Sequence, residues 1–81
     1  DRLVIGEGMA TMAAVRRATG LPVVAAMTAG NLPAIAAAIR ARRPDLRLTI
    51  AADDDEAGHR AALEAAHLTG ADIAFPKVTE Q

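Results

Sequence analysis

Apolar residues along this chain fall into two alternating patterns, short runs of strand length and longer stretches with helical spacing. Leu3 to Ile5 is an aliphatic run bounded by Gly6 and Gly8 and reads as a buried parallel strand. From Met9 to Thr19 the apolar positions Met9, Met12, Ala13, Val15 and Ala18 follow a helical spacing, and Gly20 supplies a stop. Pro22 opens a second strand, Val23 to Ala26. The loop Thr28-Ala29-Gly30-Asn31 then leads into a helix from Leu32 to Arg42, with Asn31 as its expected N-cap and Pro33 tolerated in its first turn. Pro44-Asp45 ends that helix, and Leu46 to Ala52 gives a third strand whose expected core members are Leu48 and Ile50. Asp53 to Asp55 form a loop, a third helix starts at Asp55 or Glu56 and runs to Thr69, and Gly70 stops it. Ala71 to Phe75 makes a fourth strand ended by Pro76, and the tail from Lys77 to Gln81 carries no assigned element.

Strands and helices alternating with connections this short predict an α/β fold, a four-stranded parallel sheet flanked by three helices. Residues 1–81 are read as a single domain excised from a larger multidomain protein, because the chain is short for a comfortable core and enters its first strand abruptly, with no signal peptide. Of the 52% apolar residues half are alanine, and Phe75 is the only aromatic, so stability must rest on close helix-to-sheet approach and helix propensity rather than on bulky anchors. Met9, Met12 and Met27 are expected as core filler.

Charge and composition narrow the function classes. A formal net charge of −1 is not that of a self-sufficient nucleic-acid binder, and without Tyr or Trp the chain lacks a stacking platform for single-stranded bases. The absence of cysteine excludes disulfides and thiolate metal sites and is compatible with a cytoplasmic location. No uncharged apolar stretch approaches the roughly 18 residues of a membrane span, so no membrane association is expected.

The candidate chemistry is acidic. Glu7 follows the first strand in Val4-Ile5-Gly6-Glu7-Gly8, and Asp53-Asp54-Asp55-Glu56-Ala57-Gly58 follows the third. Ligands in open α/β sheets sit beyond the carboxyl ends of the strands at a switch point. A strand order of 2-1-3-4 puts Glu7 beside Asp53 and Asp55 at such a point. An extended backbone points Asp53 and Asp55 one way and Asp54 the other, so Glu7, Asp53 and Asp55 are the expected ligands and catalytic groups, with Mg²⁺ or Mn²⁺ as the matching hard cation. Taken singly, an Asp-rich loop at a helix start is an ordinary cap and Glu7 an ordinary first-turn residue. Their conjunction at one edge is what points to a metal.

These two motifs resemble the Toprim domain shared by bacterial-type primases, type IA and type II topoisomerases, and some nucleases and recombination proteins, and the likeness covers nearly the whole chain. Thr28-Ala29-Gly30-Asn31-Leu32 and Gly58-His59-Arg60-Ala61-Ala62 look most similar to primase-like proteins of plasmids and phages, including primase–helicase fusions. The resemblance implies a Rossmann-like Toprim fold and a metal-dependent nucleotidyl transfer centre that synthesises RNA primers in the full-length protein. Its implied partners are a single-stranded DNA template and nucleoside triphosphates, with a helicase as partner or fused domain. Glu7 would then be a ligand or general acid/base near the primer 3′ end, Asp53 and Asp55 would hold Mg²⁺, and two ions would activate the 3′-hydroxyl and stabilise the pyrophosphate. Many cellular primases carry a further Asp where Thr11 stands here, which puts a second metal site of that kind in doubt.

Other readings have less support. A nuclease or topoisomerase module could use the same carboxylates for cleavage, and a non-catalytic interaction module could keep the fold without the chemistry. Gly6-x-Gly8 lacks the third glycine of a dinucleotide fingerprint, and a receiver-like aspartyl-phosphate site lacks its companion residues. Arg40, Arg42, Arg43 and Arg47 cluster at the opposite edge and read as structural helix-end cations, with Arg16 and Arg17 as surface; Arg60 is better placed for a phosphate. His59 and His67 are too far apart on one helix to share a zinc, and only His59 lies near the acidic loop.

Overall fold

The computed structural model describes residues 1–75. The chain runs β1 (Arg2–Gly6), α1 (Met9–Thr19), β2 (Val23–Ala25), a 3-10 turn (Ala29–Asn31), α2 (Leu32–Arg42), β3 (Arg47–Ala51), α3 (Glu56–Thr69) and β4 (Asp72–Ala74). All pairings are parallel and the strand order is β2-β1-β3-β4, as the alternating pattern predicts. The three α-helices begin and end where their spacing and glycine stops place them, whereas β2, β3 and β4 are each shorter than their apolar runs. The expected stop at Pro76 and the tail from Lys77 to Gln81 lie outside the described residues.

Successive side chains of a strand point to opposite faces, and the core divides accordingly. On one face Ile5, Leu48 and Ile50 pack with Leu32 and Ala36 of α2 and with Ala61, Ala62 and Ala65 of α3. On the other, Val4 and Ala51 pack with Met12, and α1 adds Val15 against Val23 and Ala25 of β2. Two helices therefore cover one face and one helix the other. Small residues at the contacts of α2 and α3 let both helices approach the sheet closely, which is how a chain with one aromatic builds a sealed core. Leu48 and Ile50 are both fully buried, as expected of them.

Three sequence expectations change. Met12 is core, but Met9 and Met27 are 65% and 59% exposed and are not core filler. Met9 opens α1 beyond the end of β1, so the first turn overhangs the sheet, and Ala13 and Ala18 also face solvent because α1 buries the side carrying Met12 and Val15. Met27 is the one non-glycine residue with positive φ among the described residues, at 79°, which turns its side chain away from the core. Asn31 does not cap α2 through its side chain; its Nδ2 donates to Ala26 O at 3.1 Å, while Thr28 Oγ1 accepts from Asn31 N and caps the 3-10 turn instead. α2 still begins at Leu32, with the 3-10 turn Ala29–Asn31 inserted directly before it.

Three members of the basic cluster, Arg40, Arg43 and Arg47, make contacts within the fold. Arg40 donates through Nε to Thr69 O at 3.0 Å and through one terminal nitrogen to the carbonyls of Arg43, Pro44 and Leu46. One planar guanidinium thus satisfies carbonyls at the ends of both α2 and α3 and in the loop entering β3. Arg47 pairs with Asp72 at 3.7 Å and Arg43 with Asp45 at 3.4 Å, both exposed contacts of small energetic weight. No helix among the described residues is long and apolar enough to cross a membrane.

Candidate metal and phosphotransfer site

Register decides what meets at the carboxyl edge. Gly6 is paired with Ala51 across β1 and β3, so Glu7 emerges level with Ala52 and one residue before Asp53. Gly6 has a steric reason to be glycine: a Cβ there would stand 2.8 Å from Met12 Sδ and 3.1 Å from Ala51 O. Met12 lies across the bare backbone and draws the start of α1 onto the strand end. The segment after β2 closes around the same point, with Ala26 N donating to Gly6 O and Met27 N to Glu7 O, both at 2.7 Å. The left-handed backbone of Met27 lets the chain turn from that second bond into the 3-10 turn, whose Ala29 N–H favours the charged form of the Glu7 carboxyl.

The second motif is fixed from the other side. Ala52 N donates to Ala74 O at 2.8 Å, holding the loop to the end of β4. Asp55 is the N-cap of α3: its backbone is extended and its Oδ1 accepts from Gly58 N at 2.6 Å. A charged acceptor on an unpaired N–H at a helix start gains from both the hydrogen bond and the dipole. Gly58 is buried, and a Cβ there would lie 2.6 Å from Asp53 O and 3.0 Å from both Asp53 Cβ and Asp55 Oδ1. The first turn of α3 therefore rests directly on the acidic loop. Asp54 points to solvent, and its Oδ1 lies 3.1 Å from His59 Nε2.

Glu7 and Asp53 come into side-chain contact. The Glu7 carboxyl is held above its ordinary range, first by a hydrogen bond to Asp53 that requires a proton, then by partial desolvation and by the negative charges of Asp53 and Asp55. The Ala29 N–H opposes these effects but does not cancel them. Asp55 contributes its field while one of its oxygens is committed to the cap. Among the described residues no group of three His, Cys, Asp or Glu side chains stands close enough to hold an ion by itself. The arrangement is a pair of facing carboxylates with a third negative charge nearby.

The remaining candidates separate cleanly. Arg60 pairs with Glu56 one turn back at 3.3 Å and is exposed, so it is a solvated helix residue here. His67 is on the surface. His59 stands by the acidic loop, and its ring meets Phe75 at a centroid distance of 4.8 Å. Gly58 and Met27 escaped the reading of single residues. The Asp55-x-x-Gly58 spacing is a capping signal that could have identified the first, whereas nothing local to Met27 announces a left-handed backbone.

Two outcomes follow from this geometry. In an uncrowded helix Gly→Ala gains about 0.5–1 kcal/mol, but Gly58→Ala should lose about 1–3 kcal/mol in urea denaturation, because the new methyl group collides with Asp53 and Asp55. The folded chain keeps a proton on Glu7 to higher pH than the unfolded chain, so stability falls as pH rises from the ordinary glutamate range through the raised value. Glu7→Gln removes that loss. Thermal unfolding should show Glu7→Gln melting above the parent at neutral pH, with the gap closing below the ordinary glutamate range.

Comparison with known proteins agrees with this architecture. The chain matches the Toprim domain family over residues 2–78. It is 45% identical over 83 aligned residues to one DNA primase TraC of Escherichia coli and 42% identical over 83 residues to another, in each case across 91% of this chain. It spans only 8% and 6% of the length of those two relatives. No solved structure matches it. A parallel β2-β1-β3-β4 sheet with Glu7 after β1, the Asp53–Asp55 motif after β3, and a family match over nearly every residue places this chain in the Toprim domain family.

Proposed function

We propose that this chain is the metal-binding catalytic segment of a longer primase-like replication protein of the plasmid or phage type, which polymerises RNA primers on single-stranded DNA. The observation that carries the reading is the contact between Glu7 and Asp53 across two adjacent strands, with Asp55 adding charge. Two carboxylates held against their own repulsion make a place where a cation is stabilised and a proton is tightly kept. Similarity to DNA primase TraC favours nucleotidyl transfer over the cleavage chemistry of nucleases and topoisomerases.

The donor set suits Mg²⁺ or Mn²⁺. Magnesium is commonly held through one or two carboxylates, keeping waters and substrate phosphates for the rest of its octahedron, so Glu7 and Asp53 suffice as protein ligands and Asp55 supports them from the cap. Glu7 and Asp53 would hold such an ion, which would supply positive charge for a 3′-hydroxyl nucleophile and a leaving pyrophosphate. Glu7, with its raised proton affinity, is the group suited to accept or return a proton at that edge. Asp53 orients Glu7 and sustains that affinity. The Met27 N–H bond to Glu7 O fixes the Glu7 backbone, and the Ala29 N–H favours the charged form of its carboxyl. Template and nucleoside triphosphates, and a helicase as partner or fused domain, engage the longer protein, because a net charge of −1 leaves this chain without the basic surface to hold a long strand tightly by itself.

A Mg²⁺ or Mn²⁺ titration followed by amide chemical shifts tests the reading. Perturbation should centre on Glu7, Asp53 and Asp55 and disappear in Asp53→Asn, whereas the absence of any localised response at millimolar metal would sink it.

A further inference from the structure

Composition, with neither Tyr nor Trp, offers no stacking platform, but the single aromatic residue of the chain is placed outside its core, which reopens that expectation. Phe75 is 51% exposed and lies directly after β4, on the carboxyl edge that carries Glu7 and Asp53. Register fixes its place: Ala51 pairs with Ala74, so Phe75 is level with Ala52, one residue before Asp53 on the neighbouring strand. The Ala52 N to Ala74 O bond ties the two segments together at that point.

The ring is also held. His59, in the first turns of α3, meets Phe75 with centroids 4.8 Å apart and planes inclined at 55°, an arrangement aromatic pairs favour. His59 is itself anchored by Asp54 Oδ1 at 3.1 Å from its Nε2. Asp54, the acidic residue turned away from Glu7, thus touches the imidazole that touches the phenyl ring. One side of Phe75 is occupied by His59 and about half of the residue remains open to solvent. A pre-ordered, half-open aromatic surface one strand from a phosphate-handling edge matches the way bases are received on single-strand binding proteins.

We propose that Phe75, braced by His59 and Asp54, is a stacking platform for a nucleobase whose phosphate is handled at the Glu7 and Asp53 edge. The proposal rests on the phosphotransfer reading and names its substrate contact. The base belongs either to the nucleic-acid strand or to an incoming nucleoside triphosphate, and the two sources present the same π-face. Stacking tolerates any base, so the platform confers affinity without sequence choice.

The test is equilibrium binding to the 81-residue chain, with Mg²⁺, of three ligands: an oligothymidylate, an abasic oligonucleotide of equal length, and a nucleoside triphosphate. Phe75→Leu should weaken the base-bearing ligand about tenfold and leave the abasic strand unchanged, and Phe75→Trp should retain binding and report it by fluorescence quenching, since the parent has no tryptophan. The ligand that shows the loss, strand or triphosphate, identifies the source of the base. If Phe75→Leu weakens binding while Asp53→Asn and Mg²⁺ removal have no effect, the platform stands and the phosphotransfer reading fails. If Phe75→Leu binds base-bearing ligands as the parent does, or if no ligand binds at millimolar concentration, the platform is overturned.

Discussion

Glu7 and Asp53 share a proton, and repel one another once both are charged, because β1 and β3 are hydrogen-bonded neighbours in register from Arg2 and Arg47 to Gly6 and Ala51. That pairing brings the two backbones level where the strands end. A one-residue slip in a parallel sheet would turn Ile5 and Ile50 from one face to the other and expose the larger of the two cores. Hydrophobic burial on the strands thus holds an unfavourable electrostatic arrangement at their ends. Under the proposed function, the cost of assembling like charges at this edge is met during folding rather than when a cation binds.

The two ends of the sheet have different roles. At the end opposite the acidic motifs, Arg40 satisfies four carbonyls and ties α2, α3 and the entry to β3 into one unit. At the acidic end the chain holds features that cost stability: a left-handed methionine, facing carboxylates, and an exposed aromatic ring. Strained backbone of this kind costs of order 1–3 kcal/mol and persists where surrounding bonds over-determine it, here the paired Ala26 and Met27 hydrogen bonds to the β1 terminus. Stability at one edge supports strain at the other. Alanine serves the same division, since Ala36, Ala61, Ala62 and Ala65 let α2 and α3 lie close to the sheet and seal the core with little bulk.

Most of the architecture was legible because helical spacing and glycine stops are local signals. Gly20 and Gly70 adopt left-handed backbone at the ends of α1 and α3, as a C-terminal stop requires. The sheet order was legible because the motifs make sense only if the first and third strands touch. What escaped the sequence depends on long-range geometry. The exposed Met27 and Met9 have the composition of core residues, and only the overhang of α1 and the turn after β2 put them in solvent. Asn31 has the composition of a cap, but an extra 3-10 turn hands capping to Thr28. Asp55 carries both meanings, cap and charge, and its spacing cannot separate them because the helix start and the acidic edge are the same place. Phe75 read as the last residue of a strand, and its contact with His59 exists only because α3 and β4 both end at this edge of the sheet, one beginning and one finishing there.

The account stands on Glu7 and Asp53 being one electrostatic unit. The direct measurement is the titration of the Glu7 side-chain carboxyl carbon by NMR, with and without Mg²⁺ and in Asp53→Asn. The account predicts a midpoint above the ordinary glutamate range in the parent, brought down both by Mg²⁺ and by the substitution. An ordinary midpoint in the parent, unmoved by either change, would contradict it.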